Sequence, residues 1–316
     1  MTQAAQTAPA AEAAQAQAAH RRGKKPPLSE GARAERRLGW MLCAPAVIVM
    51  LAVTAYPIGY AVYLSLERYD LRFPNAAKFI GVGNYTTVLT NAYWWHAFVV
   101  TLIITVISVA VELVLGMLIA LLMHRTLYLR GWVRTAVLIP YGIVTVVAAF
   151  SWQFAWTPGE GYLAELSGGA PLTQTTSAIG IIILAEIWKT TPFMALLLMA
   201  GLSLVPEDLQ KAAKVDGATA FQRFMRVTLP LMKPAILVAL LFRTLDAFRI
   251  FDNIYILTQG SHNTGSVSVL GYDNLFTALN LGVGSAISIL IFIAVAIIAA
   301  IFIAGFGTAA PGQEVK

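Results

Sequence analysis

The sequence predicts an all-α integral membrane protein with six transmembrane helices and a helical cytoplasmic segment between the fourth and the fifth. Three observations lead to this class: 58% of the 316 residues are apolar and only 12% are charged, the mean hydropathy is +0.70, and the apolar residues are collected into long runs. A soluble domain carries charge on about a quarter of its residues, and a disordered chain has low hydrophobicity. Both of those classes are therefore excluded.

Six apolar runs are long enough to cross a bilayer as helices. A hydrocarbon core about 30 Å thick requires about 20 helical residues. Transmembrane strands have about ten residues and alternate in polarity, whereas these runs are longer and do not alternate. Within a membrane domain of residues 37–310, the predicted spans cover about residues 39–65, 97–123, 135–156, 178–201, 231–257 and 283–306.

The positions of Lys and Arg predict a protein of the cell membrane with both termini in the cytoplasm. Cytoplasmic loops carry more of these residues than external loops do. Sixteen of them fall in the N-terminal segment, in the loops after the second and fourth spans and at the C-terminus, against three in the loop after the first span. We expect the tail 1–36 to be basic and disordered in the cytoplasm, and residues 311–316 to form a second cytoplasmic tail.

The remaining composition excludes several kinds of site. The single cysteine, Cys43, rules out a disulfide framework and a multi-cysteine metal site, and no metal site is predicted elsewhere. The formal net charge of +6 follows the membrane orientation of the loops, so no nucleic-acid partner is predicted. The sequence contains no HExxH or G-x-S-x-G motif, and an enzyme of those types is not predicted.

Charged residues inside the spans are the first candidates for a functional site, because an unpaired charge is costly to bury in a membrane. Arg243, Asp246, Arg249 and Asp252 recur at every third position of the fifth span with alternating sign, so they drift slowly around one side of a helix. Two interpretations stay open: ion pairs that hold helices together, or a water-accessible cavity for a hydroxyl-rich solute. The fourth span has a similar group in Glu186, Trp188 and Lys189, and the second span has a lone acid, Glu112, that we expect to be structural.

The segment 205–230, between the fourth and fifth spans, is predicted to contain two short helices that face the cytoplasm. Pro206 suits the first turn of a helix, and the two acidic residues after it favour the N-terminal end of the helix dipole. Gly217 interrupts the first helix, residues 218–227 form a second, and Pro230 ends it before the fifth span. A loop that only connected two spans would be a few residues long, so we expect this segment to dock on lipid or in a partner's groove.

The same segment carries a resemblance to a known family. Lys211-Ala-Ala-Lys-Val-Asp-Gly217, followed after nine residues by Val227-Thr-Leu-Pro230, resembles the EAA motif of permease subunits of binding-protein-dependent ABC importers, although Lys211 stands where that family usually has Glu. The likeness covers nearly the whole chain after residue 37 and implies the MetI-like fold of a type I importer permease. Similarity to the maltose-type members is carried by Tyr56-Pro-Ile-Gly-Tyr60, Phe79-Ile-Gly-Val-Gly-Asn-Tyr85 and Phe251-Asp-Asn-Ile-Tyr-Ile-Leu-Thr258. Taken as a whole, the chain resembles actinobacterial permeases for the disaccharide trehalose.

The resemblance implies a complex that imports sugar by alternating access. Its expected partners are a homologous second permease, two ATPase subunits that bind ATP and Mg, and an extracellular lipoprotein that delivers the sugar; this chain itself is expected to bind no cofactor and to catalyse no reaction. The ATPases are expected to dock on Leu209, Lys211, Ala212, Ala213, Asp216, Gly217, Ala218, Leu229 and Pro230. Sugar contacts are expected first at Arg249, Asp252, Asn253 and Tyr255, and then at Asp246, Glu186, Lys189 and Trp188.

Other functions remain as alternatives. A permease for another oligosaccharide or for a polyol would carry the same motifs. A proton-driven secondary transporter would use the charges of the fourth and fifth spans as a relay, but the internal inverted repeats typical of that class are not apparent. A channel would leave the long cytoplasmic segment unexplained.

Overall fold

The computed structural model describes residues 30–125 and 130–306, and over them it confirms the all-α class. Most of the predicted tail 1–36 and the whole of the predicted tail 311–316 lie outside these ranges. The first helix begins at Glu30, so residues 30–36, which the sequence assigns to a disordered tail, are helical. The described part of the chain contains one small sheet, a pair of two-residue strands.

Long apolar helices dominate the described residues. Five of them are long and apolar enough to cross a membrane, and a bent pair supplies a sixth crossing when its halves are taken as one span. The helices are α1 Glu30–Ser65, α2 Gly83–Thr90, α3 Ala92–Arg125, α4 Arg130–Gly142, α5 Thr145–Trp156, α6 Tyr162–Ser167, α7 Thr175–Leu202, α8 Glu207–Val215, α9 Ala220–Arg223, α10 Leu229–Ala247, α11 Asp252–Leu257, α12 Val267–Tyr272 and α13 Leu281–Phe306, and the strands are β1 Glu67–Arg68 and β2 Lys78–Phe79.

Residues 1–59 and 60–316 form two compact units. The described part of the first unit is α1 up to Gly59, a helix that continues through Pro45 and Pro57. The last turn of α1 and all the later elements belong to the second unit. All the intramembrane charges that the sequence singles out lie in this second unit.

The third predicted span, 135–156, is not a single helix. It consists of α4 and α5, which meet at residues 143–144 and are bent by 84° relative to each other. Pro140 lies in the last turn of α4, and Gly142 is its last residue. Both residues weaken a continuous helix, since proline removes a backbone hydrogen bond and glycine has high conformational freedom.

The fifth predicted span, 231–257, differs from the prediction at both ends. The prediction that Pro230 ends the preceding helix is wrong: α9, a π-helical turn over Phe224–Thr228 and α10 form one uninterrupted helical run. The π turn, which is wider than an α-helical turn, ends at Thr228, two residues before Pro230. The wider turn leaves room for the proline ring and does not depend on the N–H that proline lacks. Towards the other end the helix unwinds over residues 248–251 and resumes as α11, so the row of alternating charges does not lie on one continuous helix.

Small residues allow α3, α7 and α10 to pack against one another. Membrane helices approach closely where Gly or Ala faces a neighbour. A Cβ added to Gly116 of α3 would lie 2.8 Å from Cγ of Met194, and one added to Gly201 of α7 would clash with Cβ of Ala235 in α10. Buried apolar side chains fill the space between these helices, among them Met194, Leu198, Met232 and Ala239.

A β-hairpin connects α1 to α2, and one of the motif stretches holds it in place. The Asn84 amide donates hydrogen bonds to the carbonyl oxygens of Ser65 at 2.9 Å and Glu67 at 2.8 Å. Tyr85 and Ser65 share a hydrogen bond between their hydroxyls, 2.7 Å long. The stretch 79–85 is therefore a structural anchor of the hairpin.

The same hairpin is fixed to the start of the last span. The Gly282 N–H donates to the Tyr69 carbonyl at 3.0 Å. Nearby, hydrogen bonds from the side chain and the backbone N–H of Arg72 lower the pKa of Asp70 to about 2. The carboxylate therefore stays ionised at neutral pH and keeps its pairing with the arginine.

Replacing Gly201 with Ala is expected to destabilise the protein by roughly 1–3 kcal/mol, because the added methyl group has to push α10 away from α7. Gly180 lies in the same helix with open space around it, so Gly180→Ala is the matched control, with an expected gain of up to about 1 kcal/mol. Thermal unfolding in detergent measures both variants. An unchanged Tm for Gly201→Ala would contradict the close approach of these two helices.

Candidate functional site

A polar cavity of about 620 Å³ opens between the broken third span, α7 and the broken fifth span. Its volume lies within the range of small-molecule sites. Residues from both breaks line it, so irregular backbone forms part of its wall. The lining residues are Tyr141, Ile143, Val144, Thr145, Glu186, Lys189, Thr190, Asp246, Arg249, Ile250, Phe251, Asp252 and Asn253.

A buried arginine organises the region next to this cavity. Arg243 of α10 is 0% exposed, and its guanidinium binds three carboxylates. Nε and Nη2 donate to Glu112 of α3, Nη2 also donates to Glu186 of α7 at 2.6 Å, and Nη1 donates to Asp246 at 2.8 Å. The guanidinium suits this arrangement because its five N–H groups point in fixed directions. Arg243 thus joins three helices at a depth where an unpaired charge would be costly.

Neutral side chains complete the hydrogen bonding of the carboxylates. The Asn253 amide donates to Oε2 of Glu186 at 2.5 Å, and the Thr190 hydroxyl donates to Oε1 of Glu112 at 2.8 Å. Asn253 lies at the start of α11 and is 2% exposed. The hydrogen bond of Asn253 therefore ties the helix beyond the unwound segment to the same ionic network as the helix before it.

Side chains from elsewhere in the fold satisfy backbone carbonyls at both breaks. Nζ of Lys189 donates to the Ile143 carbonyl at 2.7 Å and lies 3.5 Å from that of Tyr141. The Ser266 hydroxyl donates to the Ile250 carbonyl at 2.9 Å. The sequence groups Lys189 with Glu186, but in the structure the lysine binds the end of α4, where a cation also interacts favourably with the helix dipole.

Six of the eight predicted sugar-contact residues line the cavity. The other two lie outside the lining: Trp188 packs edge-on against Trp152, with ring centroids 6.0 Å apart, and Tyr255 stacks on Phe251 at 5.1 Å. The six lining residues are Glu186, Lys189, Asp246, Arg249, Asp252 and Asn253.

The charges of the fifth span have two different surroundings. Arg243 and Asp246 form an ion pair, as the structural interpretation predicts. Arg249 and Asp252 line the cavity and make no ion pair within 4.0 Å among residues 30–125 and 130–306. Arg249 and Asp252 therefore lie where the cavity interpretation places them, and their contact with a solute stays a prediction.

Sequence reasoning missed two parts of the site. Glu112 is structural, as expected, but its partner Arg243 is 131 positions away in the chain and was not foreseen. The signal was present, because Glu112 is the one charged residue in the predicted span 97–123. The sequence also did not identify the four cavity residues at the break of the third span. The only indication of this break in the sequence was Pro140 and Gly142. The four residues are Tyr141, Ile143, Val144 and Thr145.

The segment between the fourth and fifth spans forms a helix, a tight turn and a second helix. α8 ends at Val215, and Gly217 has a φ of +78°, the left-handed conformation that glycine adopts most readily. The N–H of Gly217 donates to the Lys214 carbonyl at 3.1 Å, and that of Ala218 to the Ala213 carbonyl at 3.0 Å. These two bonds form a Schellman motif, and a capping box of Thr219 and Gln222 then starts α9.

A groove of about 450 Å³ lies at this turn. It contains four of the predicted docking residues, Ala213, Asp216, Gly217 and Ala218. The other five lie outside it: Leu209, Lys211 and Ala212 belong to α8, and Leu229 and Pro230 are the first two residues of α10.

Local contacts stabilise α8 and attach it to the fifth span. Nζ of Lys211 lies 3.4 Å from the Glu207 carboxylate one turn earlier, so the lysine that replaces the usual glutamate forms an exposed pair within its own helix. The Gln210 amide donates to the Thr228 hydroxyl at 2.7 Å. This second bond connects α8 to the π turn that leads into α10.

Comparison with known proteins assigns these features to a family. Residues 112–307 match the family model described as "Binding-protein-dependent transport system inner membrane component". The chain belongs to this family. The matched range contains the whole ionic network and the segment around Gly217, and the resemblance inferred from the EAA-like motif is confirmed.

Individual relatives agree with this assignment. The trehalose transport system permease protein SugA of Mycobacterium tuberculosis is 67% identical over 283 residues, which cover 89% of this chain and 92% of that protein. The trehalose/maltose transport system permease protein MalF of Thermococcus litoralis is 40% identical, covering 83% of this chain and 90% of that protein. A chain in the crystal structure of a bacterial ABC transporter that imports the polysaccharide alginate has a TM-score of 0.75 at 22% identity, covering 89% of this chain and 100% of that one, and this likeness confirms the permease fold.

Replacing Arg243 with Gln is expected to destabilise the protein by about 3–5 kcal/mol, because Glu112 and Glu186 lose the cation that neutralises them. Arg243→Lys is expected to restore little, since one ammonium group cannot donate in the same three directions. The measurements are the yield of monodisperse protein in detergent and its Tm.

Arg249→Gln is the matched control for this experiment, because Arg249 follows in the same predicted span and makes no ion pair among the described residues. Its stability is expected to change by less than about 0.5 kcal/mol. The double variant Glu112→Gln/Arg243→Gln is expected to recover part of the loss. If Arg243→Gln were as stable as Arg249→Gln, the buried network would not hold the helices together.

Proposed function

We propose that the chain is the transmembrane permease subunit of an ATP-driven ABC importer that carries trehalose into the cell by alternating access. Membership of the binding-protein-dependent transport family supports the transport role. The names of the two relatives support trehalose as the solute, one of them at 67% identity. Another oligosaccharide or a polyol is the second candidate.

The polar cavity between the two broken spans carries this proposal. Its volume of about 620 Å³ is sufficient for a small hydrophilic solute. Carboxylates, a guanidinium and an amide in its wall accept and donate the hydrogen bonds that a hydroxyl-rich neutral molecule makes. Asp252 and Arg249 make no ion pair among the described residues, so these two side chains are available to the solute.

Energy enters, in this proposal, from two ATPase subunits that bind ATP and Mg. The chain itself has no G-x-x-x-x-G-K-[ST] loop for phosphate binding. The ATPases dock on α8 and the groove at Gly217. The hydrogen bond between Gln210 and Thr228 then transmits a displacement of α8 to α10, and from there to the cavity.

A homologous second permease and an external lipoprotein that delivers the sugar complete the proposed complex. Both termini and the groove at Gly217 face the cytoplasm in this proposal. The distribution of Lys and Arg over the loops supports that orientation. The hairpin of β1 and β2 then lies outside the cell, on the side of the lipoprotein.

Uptake by the reconstituted complex tests the proposal. Liposomes that contain this chain, the second permease and the ATPases are expected to accumulate labelled trehalose only when the lipoprotein and ATP are present, and maltose is the competitor that tests the choice of sugar. A proton-driven secondary transporter would instead accumulate solute with this chain alone and a pH gradient. That result would replace the proposal.

Asp252→Ala is expected to reduce trehalose uptake about tenfold or more, because a hydrogen bond to a charged group is worth about 1.5–3 kcal/mol. Assembly of the complex and its Tm are expected to remain unchanged. Glu165→Ala is the control, since Glu165 is an exposed acid on α6 outside the cavity lining. Normal uptake by the Asp252 variant would remove this residue from the solute site.

Gly217→Ala is expected to weaken the coupling of ATP hydrolysis to transport, because a side chain in the left-handed conformation costs about 1–2 kcal/mol. The space around Gly217 is open, so the cost is conformational. Asn tolerates this conformation, and Gly217→Asn is therefore the matched control. Trehalose-stimulated ATP hydrolysis is expected to fall in the Ala variant and to stay near normal in the Asn variant; equal rates in both would count against this explanation.

A further inference from the structure

We propose that an aromatic cleft beside the polar cavity binds the second ring of a disaccharide, so that the solute bridges the unwound segment of the fifth span. This inference rests on the proposed function as a sugar permease. The cleft has a volume of about 340 Å³. Its lining includes Arg249, Phe251, Ser268, Tyr272, Phe276 and Ser288.

Four aromatic rings lie together at or beside this cleft: Phe251, Tyr272 and Phe276 line it, and Tyr255 packs behind them. The ring centroid of Phe251 lies 5.1 Å from those of Tyr255 and Tyr272, and the centroids of Tyr255 and Tyr272 are 5.0 Å apart. Tyr272 lies 4.8 Å from Phe276, which is 64% exposed. The C–H faces of a sugar ring are apolar and pack on aromatic rings, which combine a flat apolar face with little rotational freedom.

Two of these rings, Phe251 and Phe276, come from irregular backbone. Phe251 belongs to the unwound segment between α10 and α11, and Phe276 belongs to a π-helical turn over Asp273–Thr277 that directly follows α12. Local departures of this kind from α-helical geometry are frequent at functional sites.

The cleft and the polar cavity share two residues. Arg249 and Phe251 line both, so the two spaces are adjacent on either side of residues 248–251. The rings of a disaccharide are joined through a single glycosidic oxygen and therefore require two neighbouring sites. One ring fits among the charged groups of the cavity while the other stacks on the aromatic side chains.

The polar groups of the cleft favour a sugar over a lipid chain or a packed helix. Besides its rings it contains a guanidinium, a phenol and two serine side chains. An apolar pocket with a few polar groups has the composition of a small-molecule site. The Ser288 hydroxyl donates to the Gly284 carbonyl of its own helix at 2.9 Å, so the polar character of the cleft rests on Arg249, Ser268 and Tyr272.

Protection of an introduced thiol tests this site in the complete importer. Cys43 is the only cysteine of the chain, so Cys43→Ser combined with Phe276→Cys gives a single reporter. A charged methanethiosulfonate reagent is expected to modify it, and saturating trehalose is expected to slow the modification at least about fivefold. The control is Cys43→Ser with Tyr162→Cys, because Tyr162 of α6 is an exposed aromatic residue in the loop after the third span and lies outside the cleft lining; trehalose is expected to leave its labelling rate unchanged.

Three results would overturn the proposal. A thiol at position 276 that the charged reagent cannot reach would mean that lipid or the second permease covers the cleft. Modification without protection by trehalose would mean that sugar does not occupy it, and equal protection at positions 276 and 162 would mean a general conformational change. If the unsubstituted importer showed no trehalose uptake, the proposed function would fail as well; normal uptake with an unprotected thiol would reject the aromatic site alone.

A second measurement separates the ring from the hydroxyl of Tyr272. Tyr272→Ala removes the stacking surface and is expected to raise the trehalose concentration needed for half-maximal protection about tenfold. Tyr272→Phe keeps the ring and is expected to remain within about twofold of the unsubstituted residue. Equal half-maximal concentrations for the two variants would exclude stacking on this ring.

Discussion

Three carboxylates converge on one buried guanidinium, and the arrangement of the membrane helices depends on that convergence. Glu112 lies on α3, Glu186 on α7, and both Arg243 and Asp246 on α10, so each of the three central helices contributes at least one charge. A buried ion pair usually adds little net stability compared with apolar residues of the same size. Its effect here is on geometry, because a helix that shifted or rotated would leave a charge unpaired in a medium with few alternative partners.

The same network positions the polar cavity. The hydrogen bond from Asn253 to Glu186 brings α11 to the network from beyond the unwound segment. Asp246 contacts Arg243 and has a side chain that is 64% exposed, so it belongs to both the network and the cavity wall. Structural ion pairs and the wall of the polar cavity are therefore formed by one group of charges.

The sequence was sufficient for the architecture because membrane helices are specified by composition and length. It was not sufficient for the breaks: Pro192 lies inside the unbroken α7, whereas Pro140 precedes an 84° bend. Whether a proline breaks a helix depends on the partners that its freed carbonyls find, and those come from distant parts of the chain. The pairing of Glu112 with Arg243 could not be predicted either, because these two residues also come from distant parts of the chain. Six of the thirteen cavity residues were named from the sequence, but those of the fifth span came from an assumed continuous helix that the structure interrupts at residues 248–251.

Side chains that bind the free carbonyls at both breaks also affect the shape of the cavity, because residues of the breaks form part of its wall. In the bilayer interior there is little water to bind a carbonyl that a helix break leaves free. Lys189 donates a hydrogen bond to such a carbonyl in the third span, and Ser266 donates one in the fifth. The carbonyls of Ile143 and Ile250 are therefore hydrogen-bonded by side chains of the protein itself. These two carbonyls keep their partners without a guest molecule in the cavity, so this part of the cavity wall is preorganised.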